Sequence, residues 1–235
     1  MSEDNGAPLS RAAASAAVTG LGWRYVLGVA QTSVQAGGWR QAAEAAAAIA
    51  ARAGIAAEDR LLADIRGGKL MLTVRNPAGG LLTTAETELA GLVSAIMAGL
   101  GLRPAPGTGE PDGRSVQAVE IAIDALDIPA ILPFWRAALG YADEPGSQGK
   151  PRAIVDQAGQ GPAVWFQQMT EPRPQRNRIH LDISVPHDEA RQRIDAALAA
   201  GGVLVSDAAA PAFWVLADAE GNEACITTWQ GRDPS

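Results

Sequence analysis

Asn177-Arg178-Ile179-His180-Leu181-Asp182 and Asp218-Ala219-Glu220-Gly221-Asn222-Glu223 are the two stretches on which the fold turns. The first leads into a strand expected over residues 180–185, otherwise apolar, with His180 and Asp182 on one face. The second reads as a tight turn at Gly221-Asn222, where a left-handed backbone favours those residue types, between strands expected over 213–217 and 223–229. His180 and His187 are the only histidines of the chain.

Working outward, the same order of elements occurs twice. Residues 116–124 alternate, with Val119, Ile121 and Ile123 on one face and Ala118, Glu120, Ala122 and Asp124 on the other. A helix over 128–139 follows, closed by Gly140, with Ile131, Phe134, Trp135 and Ala138 as its apolar stripe. Strands over 152–157 and 163–168 flank the turn Ala158-Gly159-Gln160-Gly161. After the strand at 180–185 come a helix over 188–200, ended by Gly201-Gly202, and strands over 203–206, 213–217 and 223–229. These are two β-α-β-β(-β) units in tandem. Aligning Gly140 with Gly201 and Gly161 with Gly221 sets Glu120 beside His180 by strand parity, and gives Ala163 the place that Glu223 holds in the second unit.

Composition bounds the class. The chain has 235 residues, 47% of them hydrophobic, which is room for two domains. A net charge of -7 repels polyanions, so neither nucleic acid nor an anionic membrane surface is an expected partner. The one cysteine, Cys225, excludes an internal disulfide and any CxxC zinc site, and the acidic N-terminus is followed by no long apolar run. A cytoplasmic protein is expected. The Pro/Gly-rich stretch over 103–114 reads as a linker between domains at 1–102 and 115–235.

In the first half, residues 9–18 form an alanine-rich helix behind a Ser10 cap, followed by strands at 23–27 and 30–34. Residues 38–53 form a long helix with Trp39, Ala42, Ala46 and Ile49 on one stripe. Strands near 62–65 and over 69–75 follow, then the turn Asn76-Pro77-Ala78-Gly79-Gly80 and a closing helix capped at Thr84.

That order, with Leu21-Gly22-Trp23, Leu72-Thr73-Val74 and Ala78-Gly79-Gly80-Leu81, resembles the pterin-4a-carbinolamine dehydratase family over nearly the whole first half. The resemblance implies an antiparallel sheet with helices. The family's His-His-Pro motif is missing, however: the corresponding residues are Glu58-Asp59-Arg60-Leu61, and a further family histidine falls near Asn76. Glu58, Asp59 and Arg60 read more simply as a solvated charge cluster at a helix end.

The second half resembles the vicinal-oxygen-chelate, or glyoxalase-like, proteins, whose paired βαβββ modules curve around a cup. The whole chain is then α+β. In that family the metal ligands lie on the first and last strands of each module. The resemblance therefore implies Glu120, His180 and Glu223 as ligands of a divalent ion such as Mn, Fe, Ni, Co or Zn, with His180 and Glu223 as the catalytic pair. Trp165, Gln167 and Asp182 would contact substrate, although sheet packing explains Trp165 equally well and Asp182 could simply orient His180. His187 is expected in solvent at a helix start, and Cys225 as a buried, inert thiol.

Three functions compete. The leading one is a small-molecule lyase, isomerase or cyclase acting on a carbonyl compound, with the first half as scaffold or dimerisation unit and a homodimer as the assembly. The others are a 4a-hydroxytetrahydrobiopterin dehydratase-related protein and a non-enzymatic ligand-binding or resistance protein. No GxSxG elbow, phosphate-binding loop or dinucleotide GxGxxG after a strand occurs.

Overall fold

The computed structural model describes residues 6–107, 115–145, 152–172 and 179–231. Residues 108–114 of the expected linker and Asn177-Arg178 lie outside them. The chain divides into two compact units, Met1–Ala118 and Val119–Ser235.

In the first unit the elements run α1 (Arg11–Thr19), β1 (Arg24–Val26), β2 (Val29–Gln35), α2 (Trp39–Ala53), β3 (Leu61–Arg66), β4 (Lys69–Val74) and α3 (Thr84–Gly99). The four strands form an antiparallel sheet in the order β1-β2-β4-β3. One sheet face carries Ala30, Val34, Leu70, Leu72 and Val74 into a core with Trp23, Ile49, Val93 and Ile96. Ser10 caps α1, its hydroxyl accepting from the Ala13 amide.

Three expectations for this unit need correction. Trp39 is 65% exposed, because the buried stripe of α2 is Ala42, Ala45, Ile49 and Ala53 and the first residue of the helix turns off it. The cap of α3 is Thr83, one residue before the expected Thr84. A capping box needs its acid three residues after the cap, and Glu86 fills that place, accepting from the Thr83 amide at 2.8 Å. Arg60 does not belong to a solvated cluster: it reaches inward and pairs with buried Glu86 at 3.0 Å.

In the second unit, β5 (Glu120–Ala125), α4 (Ile128–Leu139), β6 (Ala142–Asp143), β7 (Ala153–Val155) and β8 (Ala163–Gln168) make the first module. The second is β9 (Leu181–Ser184), α5 (Ala190–Ala199), β10 (Val203–Ser206), β11 (Phe213–Ala217) and β12 (Glu223–Thr227). Strand orders β6-β7-β8-β5 and β10-β11-β12-β9 are the same topology twice, with the first and last strands of each module paired in parallel. β5 and β9 are therefore each an outer strand of their sheet.

Asp127 caps α4 through the Ala130 amide, and Gly140 ends the helix at φ 70°, a left-handed conformation suited to glycine. The stripe Ile131, Phe134, Trp135 and Ala138 is buried and joins Ile194 and Ala197 of α5 in one core. Gly202 permits this packing: a Cβ there would lie 2.4 Å from the Phe134 ring.

Several strands and one helix are shorter than their periodicity suggests. β7 stops at Val155 because the Asp156 carboxylate gathers the amides of Ala158, Gln160 and Gly161, and these hydrogen bonds hold its pKa below the usual range. Residues 187–189 form a turn before α5, the Glu189 amide donating to the Pro186 carbonyl. β12 ends at Thr227, and Thr228 turns its amide to Ala212 and its hydroxyl to Pro211.

Candidate functional site

Register decides what shares a face. In the second module Cys225 lies opposite Asp182 and Thr227 opposite Ser184, while Leu181, Ile183, Ala224 and Ile226 take the other parity, toward the helices. His180 and Glu223 immediately precede the paired Leu181 and Ala224, on the face of Asp182 and Cys225. In the first module Glu120 lies opposite Ala163, Ala122 opposite Trp165 and Asp124 opposite Gln167. The pairs Glu120/Ala163 and His180/Glu223 thus hold equivalent places in the two modules.

A cleft of about 840 Å³ runs along the outer edge of β5. Its walls are residues 121–124 with Leu126 on one side, and Ile179, His180 and Leu181 with the 219–223 loop on the other. Trp135, Met169 and Pro172 complete the lining. Of the sequence-predicted residues, His180 and Glu223 line this cleft, whereas Glu120, Trp165, Gln167 and Asp182 are not part of its wall.

His180 and Asp182 meet, Nε2 to Oδ1, at 3.3 Å, with side chains 50% and 62% exposed. Cys225 joins them from β12: among the described residues, the imidazole nitrogen, a carboxylate oxygen and the sulfur lie within 4.8 Å of one another. Glu120 and Glu223 are not in that group. The Cys225 thiol is pushed up to about 11, first by burial and then by the Asp182 carboxylate, its hydrogen bond, and the charge of Glu223. An imidazole, a carboxylate and a sulfur are a donor set that fits a divalent transition ion.

The wall of the cleft is held by a network that sequence reading missed. Buried Asp218 accepts from the amides of Glu220 and Asn222, from the Asn222 side chain at 2.7 Å and from the Trp135 indole at 2.9 Å. Glu220 reaches across to the first module and accepts from the amides of Leu126 and Asp127 at 2.9 and 2.7 Å. The acid-rich turn 218–223 was the available signal; that its carboxylates brace the start of α4 is a long-range fact. His187 is not merely solvated: it accepts from the Trp229 indole at 3.3 Å and meets that ring edge-on.

In the first unit, the position where the dehydratase resemblance places histidines holds the Arg60–Glu86–Thr83 network. Asn76 is taken up by its own turn, donating to the Leu81 carbonyl and accepting from the Ala78 amide. Neither residue supplies an imidazole, and both serve local structure.

No helix of the described residues is long and apolar enough to cross a membrane. No curated protein matches the chain. Among solved structures it is similar to a glyoxalase-related enzyme from Fulvimarina pelagi, at 22% identity over 48% of this chain and 87% of that one, TM-score 0.36. It is also similar to a glyoxalase/bleomycin resistance protein/dioxygenase family enzyme from Burkholderia phytofirmans PsJN, at 18% identity over 46% and 95%, TM-score 0.35. A third is the fosfomycin resistance protein FosX from Mesorhizobium loti, at 8% identity over 51% and 96%, TM-score 0.40. The family model described as a glyoxalase-like domain matches residues 120–227, so the two tandem modules, and not the first unit, carry a glyoxalase-like domain.

Proposed function

We propose that the glyoxalase-like domain is a small-molecule enzyme acting on a carbonyl compound by isomerase, lyase or ring-forming chemistry, with the first unit as scaffold or dimerisation unit. The observation that carries this reading is His180 in the wall of the 840 Å³ cleft, with Glu223 lining the same wall. A divalent ion held through His180, with Glu223 and Glu120 at the ligand positions the family resemblance implies, would polarise the carbonyl and stabilise an enolate. Glu223 would move a proton at the carbon next to it, and His180, whose nitrogen lone pair an ion occupies, would do so only where no ion is held. Asp182 orients the imidazole from 3.3 Å, and Ile121, Ile123 and Leu181 supply apolar wall against water.

The reading predicts that divalent metal co-purifies with the protein and that ketones and 2-oxo acids broaden in ligand-observed NMR. His180→Ala should lose both, and Glu223→Gln should keep ligand contact while lowering turnover at least a hundredfold. Protein that binds none of these compounds, with or without metal, defeats it.

Apolar Trp135, Met169 and Ile179 in the lining favour a second reading, sequestration of an apolar ligand without turnover. A dehydratase role is not favoured, because Arg60 and Asn76 are engaged in structure where acid–base groups are required.

A further inference from the structure

We infer that the domain binds a thiophilic divalent cation, of the zinc class, between His180, Asp182 and Cys225, a donor set drawn from the second module alone. The inference rests on the proposed small-molecule reading and moves the ion's seat: His180 is kept, while Asp182 and Cys225 replace the Glu120 and Glu223 that the family resemblance implies.

Geometry comes first. Parallel pairing of β9 and β12 fixes Cys225 opposite Asp182, and His180 stands two residues earlier on the same face. Strands hold the backbone of two of the three donors, and their ligand atoms already lie within 4.8 Å of one another. A tetrahedral ion with bonds of about 2.0–2.3 Å sets its donors roughly 3.3–3.6 Å apart. The His180–Asp182 separation of 3.3 Å is at that value without rearrangement.

Donor chemistry then selects the ion. Sulfur beside imidazole favours Zn²⁺, Co²⁺ or Cd²⁺ over Mg²⁺ or Ca²⁺, which prefer oxygen. On binding, the Cys225 S–H bond breaks, its proton leaves to solvent and the sulfur's electron pair forms the bond to the ion. The ion's two positive charges then meet one thiolate and one carboxylate, which leaves the seat neutral in a part-buried place. Glu223 adds a further negative charge beside the sulfur. Because His180 also lines the cleft, the seat adjoins the space where a small molecule would sit.

Cobalt(II) titration of the full-length protein is the test. One equivalent should bind with a near-ultraviolet thiolate-to-cobalt charge-transfer band, and zinc should displace it. Cys225→Ser should abolish the band, and Asp182→Asn should weaken binding at least tenfold. Cys225→Ala serves as a second variant, with circular dichroism and melting temperature confirming that either one folds. Cobalt bound without the band, or binding lost in Glu120→Gln but kept in both cysteine variants, overturns this donor set and leaves the proposed function standing. Absence of cobalt binding also overturns it, and the NMR screen on metal-free protein then separately decides whether the cleft is a ligand site.

Discussion

Cys225 sits where burial and charge act in the same direction. Desolvation, the Asp182 carboxylate and Glu223 all disfavour a thiolate and push the thiol up to about 11. In the unfolded chain the thiol ionises near about 8.5, so between those values the unfolded state sheds a proton that the folded state keeps. The resulting contribution to stability is complete below about pH 8.5 and lost as pH rises to about 11. Metal-free protein should therefore alkylate slowly with iodoacetamide at pH 8 and far faster near pH 11; fast modification at pH 8 by intact-mass analysis would contradict the assignment. Asp218 is the opposite case, a buried carboxylate fully used by donors. Asp218→Ala strands the Trp135 indole and two loop amides, a loss of about 3 kcal/mol that urea denaturation followed by tryptophan fluorescence would read. Strand parity made His180 and Asp182 legible as one face, and the family resemblance brought Glu223 to it. The approach of Cys225 was not, because it depends on which strand lies beside β9, and periodicity within a strand says nothing of its neighbour.

At the scale of elements, the best-read helix is α4, with the bounds expected from its apolar stripe and Gly140. Two local signals agree there, a stripe of period 3.6 and a left-handed glycine stop. α5 begins two residues later than its sequence pattern suggests, because a turn at 187–189 continues the polar pattern of the helix without its hydrogen bonds. β6, with only two residues, carries no period at all. The capping of α3 shows how a tertiary partner changes the meaning of a local motif. Glu86 satisfies Thr83 and is itself neutralised by Arg60, so the box is tied to the residues just before β3. Removing the acid leaves a largely buried guanidinium without this partner. Glu86→Ala should cost about 3–4 kcal/mol, against about 1 kcal/mol for Thr83→Ala, whose loss is confined to the cap. Equal costs in chemical denaturation would show that Arg60 contributes little.

For the whole molecule, what matters is that two modules of one topology carry different faces. Where the second presents His180, Asp182, Cys225 and Glu223, the first presents Glu120, Ala122, Trp165 and Ala163 at the equivalent places. The imidazole, the thiol and two of the three carboxylates at these places are thereby concentrated in one module, while the other supplies a cleft wall through β5 and, at the start of α4, the amides that anchor Glu220 of the second module. The cleft needs both modules, and their helices share one core, with Phe134 against Gly202. Each of the two units of the chain has a core cluster of its own, which is the condition for folding alone. A fragment of residues 119–235 should therefore give a dispersed amide NMR spectrum, bind cobalt within about threefold of the full chain and contact the same small molecules. Within that fragment, Gly202→Ala pushes a methyl group into the Phe134 ring and should cost about 2 kcal/mol, loosening the module pair. A fragment that binds the dye ANS and lacks dispersion would mean that the first unit is required for the fold of the second, and the scaffold role assigned to it would become a folding role.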